Sequence, residues 1–158
     1  MLKKINTYLL IALGIGVIFH GSTIFFTLER SYDALIHLFF AEHYASNWFE
    51  PWNYKWYTGF TVVCYPPLVH QLLGLLSFIG GFKFAMYLLA FFVIVLFISG
   101  VYRYSLILTK NENYAGFAAL FAVFSSAFIE TLHIYGQLPT LMGMSLLFQG
   151  YFSKFRSR

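Results

Sequence analysis

The chain consists of long apolar runs separated by very few charged residues. Only 10% of its 158 residues are charged and 59% are hydrophobic, whereas a soluble domain carries roughly 25% charged residues. A globule of this composition could not cover its surface with charge. We therefore predict an all-α integral membrane protein. The composition excludes a soluble enzyme and a disordered tail, and the scattered Lys and Arg residues form no basic stripe for a nucleic acid.

One apolar run, residues 68–79, differs from the others. As a helix it would be about 18 Å long, against a hydrocarbon core of roughly 30 Å. Its leucines recur on one side at helical spacing, while His70, Gly74 and Ser77 line the other side. This pattern is typical of an amphipathic helix that lies in the membrane interface.

The basic residues favour four spans over five, because cytoplasmic loops carry the excess of Lys and Arg. Four spans leave only Arg30, Lys55 and Lys83 outside. The prediction is a single membrane domain over residues 1–158, in the plasma (inner) membrane, with both termini in the cytoplasm. Its spans cover about 8–28, 84–101, 114–133 and 138–152. A long outer loop, 29–83, contains two interfacial helices at about 32–46 and 67–79.

The first interfacial helix brings a carboxylate close to a histidine. We expect Ser31 to cap its N-terminus. Asp33 and His37 are four residues apart, so their side chains share a face. Such a pair could accept a proton as a general base or bind a metal ion. The alternative is that Asp33 is only a first-turn acid favoured by the helix dipole, and His37 only an amphipathic side chain at the interface.

Two further outer segments offer binding residues. All three tryptophans lie within residues 48–56. There, Trp52 and Trp56 form either a platform for a sugar or lipid headgroup or a simple aromatic belt at headgroup level. At the outer end of the third span, Glu130 and His133 are three residues apart. A glutamate near the end of an apolar helix is a candidate site residue unless it only emerges into water.

Together, these segments resemble the outer loops of GT-C superfamily glycosyltransferases. In particular, they are similar to prokaryotic membrane proteins labelled "6-pyruvoyl-tetrahydropterin synthase-related". The first outer loop is matched by Asp33-Ala-Leu-Ile-His37, Gly59, and Tyr65-Pro66-Pro67-Leu68 followed by a short amphipathic helix. The second is matched by Tyr135-Gly136-Gln137-Leu138-Pro139. The resemblance extends over nearly the whole chain.

The resemblance implies transfer of a sugar from a polyprenyl-phosphate donor to an acceptor on the outer face. It implies that Asp33 is the general base or a ligand of a divalent metal ion, the one candidate cofactor, and His37 is the second catalytic candidate. The family's second acid is replaced here by Gln137, with Glu130 displaced further back. The candidate substrate-binding residues are Trp52, Trp56, Tyr65, His70, Glu130, His133 and Gln137.

The predicted spans are fewer than those of the family's membrane module. We therefore expect the N-terminal portion of such an enzyme, with the lipid bilayer and a further membrane chain as partners. The alternative is a non-catalytic subunit that binds a lipid or assembles with another membrane protein. A transport subunit is disfavoured because the acidic residues lie at the outer ends of the spans, whereas transporters bind their substrates near the midplane.

Overall fold

The computed structural model describes residues 6–156, and side chains are described for residues 6–151. The described chain is mostly helical, as predicted. The helices are α1 (Thr7–Ile15), α2 (Gly21–Thr27), α3 (Ala34–Ser46), α4 (Pro67–Thr109), α5 (Glu112–Val123), α6 (Ser126–Ile129) and α7 (Leu138–Arg156). Shorter π-helical turns lie at Gly16–His20 and Glu130–Tyr135, and 3-10 turns lie at Leu28–Arg30 and Val62–Cys64.

The helices agree with a membrane protein. Among the described residues, the stretches Thr7–Arg30 and Pro67–Thr109 are long and apolar enough to cross a membrane. A third candidate is the pair Glu112–Val123 and Ser126–Tyr135, bent by 51°, if it forms one span. The fourth predicted span lies within α7, which does not qualify on the described residues. The four-span count and the orientation of the chain therefore stay predictions.

The second predicted interfacial helix and the span that follows it are two parts of α4. Pro67 occupies the first turn of α4, a position that tolerates proline. The helix is interrupted at Gly80 and Gly81, and Gly81 has φ +79°, a backbone conformation that favours glycine. The break separates residues 67–79 from residues 82–109. It lies where the sequence predicts the passage from the interfacial helix to the span.

The core lies along α4, which packs against α7, α5 and α3. Phe97 of α4 stacks on Phe128 of α6, with ring centroids 4.6 Å apart. The outward faces of the helices are apolar as well: Ile18, Phe26 and Phe121 are each more than 70% exposed. An apolar surface of this kind suits contact with lipid and is unusual for contact with water.

The first part of α4 docks on α3 through its small residues. A Cβ atom at Gly74 would lie 3.0 Å from the Ala45 nitrogen and 3.1 Å from the Ala41 oxygen, so the two backbones are in close contact. On the predicted apolar side, Leu75 is 53% and Ile79 72% exposed, whereas Leu72 and Leu76 pack partly buried against the core. The predicted apolar side is therefore only partly exposed.

A short hairpin, absent from the sequence prediction, completes the loop that was predicted to lie outside. Its strands β1 (Trp52–Asn53) and β2 (Phe60–Thr61) pair antiparallel, with Trp52 opposite Thr61. Gly59 has φ +100°, and the Trp52 indole packs where a Cβ atom at Gly59 would lie. The turn therefore requires glycine for both its backbone conformation and its packing.

Candidate functional site

Backbone hydrogen bonds join the start of α3 to the turn after α6. The N–H of Tyr32 donates to the Ile134 carbonyl (3.1 Å), and the N–H of Asp33 donates to the Tyr135 carbonyl (3.0 Å). The next residue, Gly136, has φ +68° and packs so closely against Ser31 that a Cβ atom would collide with it. The structure therefore brings together the two outer segments in which the sequence placed its candidate residues.

Asp33 precedes the first residue of α3, but its side chain does not cap the helix. The prediction that Ser31 is the N-cap is wrong. The helix begins at Ala34, and the Ser31 hydroxyl donates to the Leu28 carbonyl (2.7 Å). The half-buried Asp33 carboxylate instead accepts a hydrogen bond from the Tyr65 phenol. Burial raises the pKa of Tyr65, and the charge of Asp33 and its hydrogen bond to the phenol raise this pKa further.

His37 and His70 form a fully buried pair, each 0% exposed. His37 Nδ1 is 3.0 Å from His70 Nε2. On the outer sides of the pair, His37 Nε2 is 2.8 Å from the Gly136 carbonyl oxygen, and His70 Nδ1 is 3.1 Å from the Pro66 carbonyl oxygen. The two rings thus connect α3, α4 and the turn at residues 135–139, which we call the second outer turn. We call Asp33, His37, Tyr65, His70 and Gly136 the outer junction.

Aromatic rings enclose the histidine pair. The Tyr65 ring centroid lies 5.3 Å from that of His70 and 5.4 Å from that of Phe40. Phe40 also contacts His70, with centroids 5.0 Å apart. This apolar surrounding explains the titration of the pair. Burial lowers the pKa of His37, against the effects of the Gly136 carbonyl and the Asp33 charge, and burial and repulsion from His37 lower the pKa of His70 to about 4.

Of the two candidate tryptophans, Trp56 connects to the outer junction through other rings. Trp56 is 58% exposed and makes edge contacts with Phe39 and Phe60. Phe39 in turn contacts Phe40, which packs on His70. Trp52 is 37% exposed and belongs to the hairpin. Both indoles therefore have exposed surface, as either an aromatic platform or an interfacial belt would require.

Glu130 and His133, expected to share a face, occupy different surroundings. Glu130 is exposed, whereas His133 is only 8% exposed. His133 Nε2 lies 2.8 Å from His20 Nδ1, and His133 Nδ1 lies 2.9 Å from the Thr27 hydroxyl. His20 is fully buried and was not singled out in the sequence. A histidine inside the first apolar run was the signal that could have found it, because ionisable residues within spans are rare.

Gln137, which replaces the expected second acid, is held in the second outer turn. Its backbone N–H donates to the Thr131 carbonyl (2.9 Å), and its side-chain oxygen accepts a bond from the Thr140 hydroxyl (3.4 Å). It directly follows Gly136, whose carbonyl binds His37. The residue therefore lies next to the outer junction along the chain.

Two of the three cations that were predicted to lie outside form ion pairs. Lys55 binds Glu42 and Lys83 binds Glu29, each at 2.8 Å. Glu29 also accepts a bond from the Tyr87 hydroxyl (2.7 Å). Among the described residues, no ion pair involves Arg30, which is exposed and lies three positions before Asp33. Arg30 is therefore the outer cation best able to meet an anionic ligand.

The described side chains do not provide the ligands of a metal site. Within residues 6–151, no three His, Cys, Asp or Glu side chains are placed to hold an ion together. In the outer junction, the nitrogens of both histidines already contact each other and a backbone carbonyl. Asp33 is the only carboxylate of the junction, so it alone could bind an ion there. These residues do not fit the divalent ion implied by the resemblance. The outer junction is better suited to proton transfer by Asp33.

Comparison with known proteins adds no family to these observations, since no family model, curated protein or solved structure gives a significant match.

Proposed function

We propose that the chain is the N-terminal portion of a GT-C-like membrane glycosyltransferase. It would transfer a sugar from a polyprenyl-phosphate donor on the outer face of the plasma membrane. The proposal rests mainly on the position of Asp33, a half-buried carboxylate that does not cap its helix and that lies where the two outer segments meet. The motif resemblance also implies that this residue is the general base or a metal ligand.

The side chains of the outer junction and the nearby Arg30 have different roles in this proposal. Asp33 accepts the proton of the acceptor hydroxyl as the hydroxyl attacks the sugar. Tyr65 holds the carboxylate from one side, and the buried His37–His70 pair fixes the backbone on which Asp33 lies. His37 has no exposed surface, so we assign it a positioning role. Arg30 offers its positive charge to the departing phosphate.

The test compares Asp33→Asn with Glu42→Gln. Both substitutions remove one negative charge, and Glu42 lies on α3, which begins directly after Asp33, but pairs with Lys55 outside the junction. The measurement is transfer of radiolabelled sugar from a polyprenyl-phosphate donor in membranes of the native host that carry each variant. We expect Asp33→Asn to slow transfer by about 10²–10⁴-fold, the usual contribution of a general base. Glu42→Gln should transfer at the wild-type rate. Undiminished transfer by Asp33→Asn would refute the assignment.

A second candidate function, a non-catalytic subunit for assembly or lipid binding, is favoured by a groove on α7. The groove has a volume of about 570 Å³ and is lined by Gly143, Leu146, Leu147, Gly150 and Tyr151. Its lining is almost entirely apolar, and Leu147 is 62% exposed. Within a bilayer, such a groove accepts either an acyl or prenyl chain or a helix of another membrane protein.

Substitution of Gly143 by Leu tests this second function. A Cβ atom at Gly143 would have no neighbour within 4 Å, so the new side chain fills the groove without disturbing the packing of the chain. The matched control is Gly14→Leu, because Gly14 also has open space and lies on a different helix. If the groove binds a partner, co-purification of membrane partners or prenyl lipid is lost in Gly143→Leu alone. If the chain is only such a subunit, Asp33→Asn leaves partner recovery and sugar transfer unchanged.

A further inference from the structure

The chain exposes many aromatic side chains in and around the first strand of its hairpin. We call residues 48–57 the aromatic segment, in which six of the ten residues are Trp, Tyr or Phe. All six are at least 37% exposed, and Phe49 and Tyr57 reach 93% and 90%. A concentration of large apolar side chains on a protein surface marks contact with another protein or with a membrane. The aromatic segment is therefore a candidate contact surface.

The charges of the aromatic segment do not favour a charged partner. Its two charged residues are Glu50 and Lys55. Lys55 binds the Glu42 carboxylate of α3 at 2.8 Å, and the Glu50 carboxylate accepts a bond from the backbone N–H of Trp52 (3.0 Å). The one cation of the segment is thus already paired, whereas binding to anionic lipid or nucleic acid uses clusters of available Lys and Arg.

The apolar surface of the aromatic segment continues onto α3. Trp56 contacts Phe39 of that helix, and the Phe60 ring of the hairpin stacks on Phe39 as well. Leu35 lies four residues before Phe39, on the same face of α3, and is 75% exposed. A partner that covers the aromatic segment therefore also meets α3, the helix for which the sequence predicts a position in the membrane interface.

The headgroup region of a bilayer matches the chemistry of this surface. Trp and Tyr concentrate there because their rings are apolar while their N–H or O–H groups remain near water. The hydrocarbon core is a poorer match, since the exposed Lys55–Glu42 ion pair would be costly in it. Moreover, only Trp52 and Asn53 of the segment belong to a strand, and backbone groups outside regular structure are not tolerated against hydrocarbon.

We propose that the aromatic segment lies in the headgroup region of the bilayer and anchors the outer junction at that level. Phe49, Tyr54 and Tyr57, the most exposed of its rings, carry the contact with lipid. Trp56 connects this anchor to the junction through the rings of α3. The tryptophans then belong to an interfacial belt. The inference goes beyond sugar transfer, because contact with lipid requires no reaction and is the same whichever side of the membrane the segment faces.

Tryptophan fluorescence tests the proposal, because all three tryptophans of the chain lie in the aromatic segment. The full chain is reconstituted in phosphatidylcholine vesicles whose acyl chains are unbrominated, brominated near the headgroup end or brominated near the methyl end. We expect bromine near the headgroup end to reduce the emission to about half, and bromine near the methyl end to reduce it less. Iodide, supplied on both sides of the membrane, should quench less than the first lipid.

Two results would overturn the proposal. Emission that neither brominated lipid changes would place the aromatic segment in water, if iodide quenches it, or under another protein, if iodide does not. Stronger quenching by bromine near the methyl end would place the segment in the hydrocarbon core. Addition of anionic phosphatidylglycerol should leave the quenching unchanged, because the one cation of the segment is already paired.

The two most exposed rings provide a matched pair of double variants. Phe49 and Tyr57 are both at least 90% exposed, so their replacement leaves the core of the chain intact. Phe49→Asp with Tyr57→Asp places two charges in the contact and should abolish the quenching by lipid. Phe49→Leu with Tyr57→Phe keeps the surface apolar and should be quenched like the wild type. Equal quenching of the two double variants would contradict the proposal.

Discussion

At the residue scale, the outer junction combines a few side chains that the sequence identified with contacts that it could not show. The spacing of Asp33 and His37 placed them on one face of a helix, and both belong to the junction. The partner of His37 is His70, 33 positions later. Helical periodicity says nothing about that distance, because the contact depends on how α3 docks on α4. The contact between His20 and His133 was missed for the same reason.

Gly136 provides a prediction at this scale. Its φ of +68° and its contact with Ser31 leave no room for a side chain. Gly136→Ala should therefore reduce the free energy of unfolding by about 2 kcal/mol, since the left-handed conformation costs an L-residue roughly 1–2 kcal/mol even before the collision. The measurement is the melting temperature in detergent.

The control for Gly136→Ala is Gly14→Ala. Gly14 is helical and has open space around it, so alanine should be neutral or stabilise the helix by up to about 1 kcal/mol. If Gly136→Ala melted at the wild-type temperature, the close packing of the second outer turn on Ser31 would be wrong.

At the scale of elements, the two helices predicted between the first two spans are present as helices, while their position in the membrane interface stays a prediction. The first was expected over about 32–46 and is observed at Ala34–Ser46, and the second ends where α4 breaks at Gly80 and Gly81. The hairpin of β1 and β2 was not predicted. Each strand has only two residues, too few to show the alternation by which a strand is recognised.

The third predicted span shows a further limit of sequence reasoning. Its apolar run reads as one helix, yet the structure divides it into α5, α6 and a π-helical turn, with a bend of 51°. The Ser125 hydroxyl accepts a bond from the N–H of Phe128 and so caps α6 as a new helix. A serine within an apolar run gives little warning of such a break, because its hydroxyl can also bond within a continuous helix.

At the scale of the whole molecule, the account requires that the outer junction lie on the outer side of the membrane. The composition of the chain and its two long apolar helices agree with a helical membrane protein, but neither feature orients it. The orientation follows from the distribution of Lys and Arg alone. It also decides whether Asp33 could meet a sugar donor on the outer face.

Cysteine labelling in intact cells tests this orientation. The native Cys64 is exposed and is first replaced by serine. Single cysteines are then introduced as Lys83→Cys, near the break in α4, and Lys110→Cys, just after its end. A membrane-impermeant maleimide should label Lys83→Cys from outside and should label Lys110→Cys only after the membrane is permeabilised. Labelling of Lys110→Cys in intact cells, with Lys83→Cys protected, would place the outer junction on the wrong side and contradict the account.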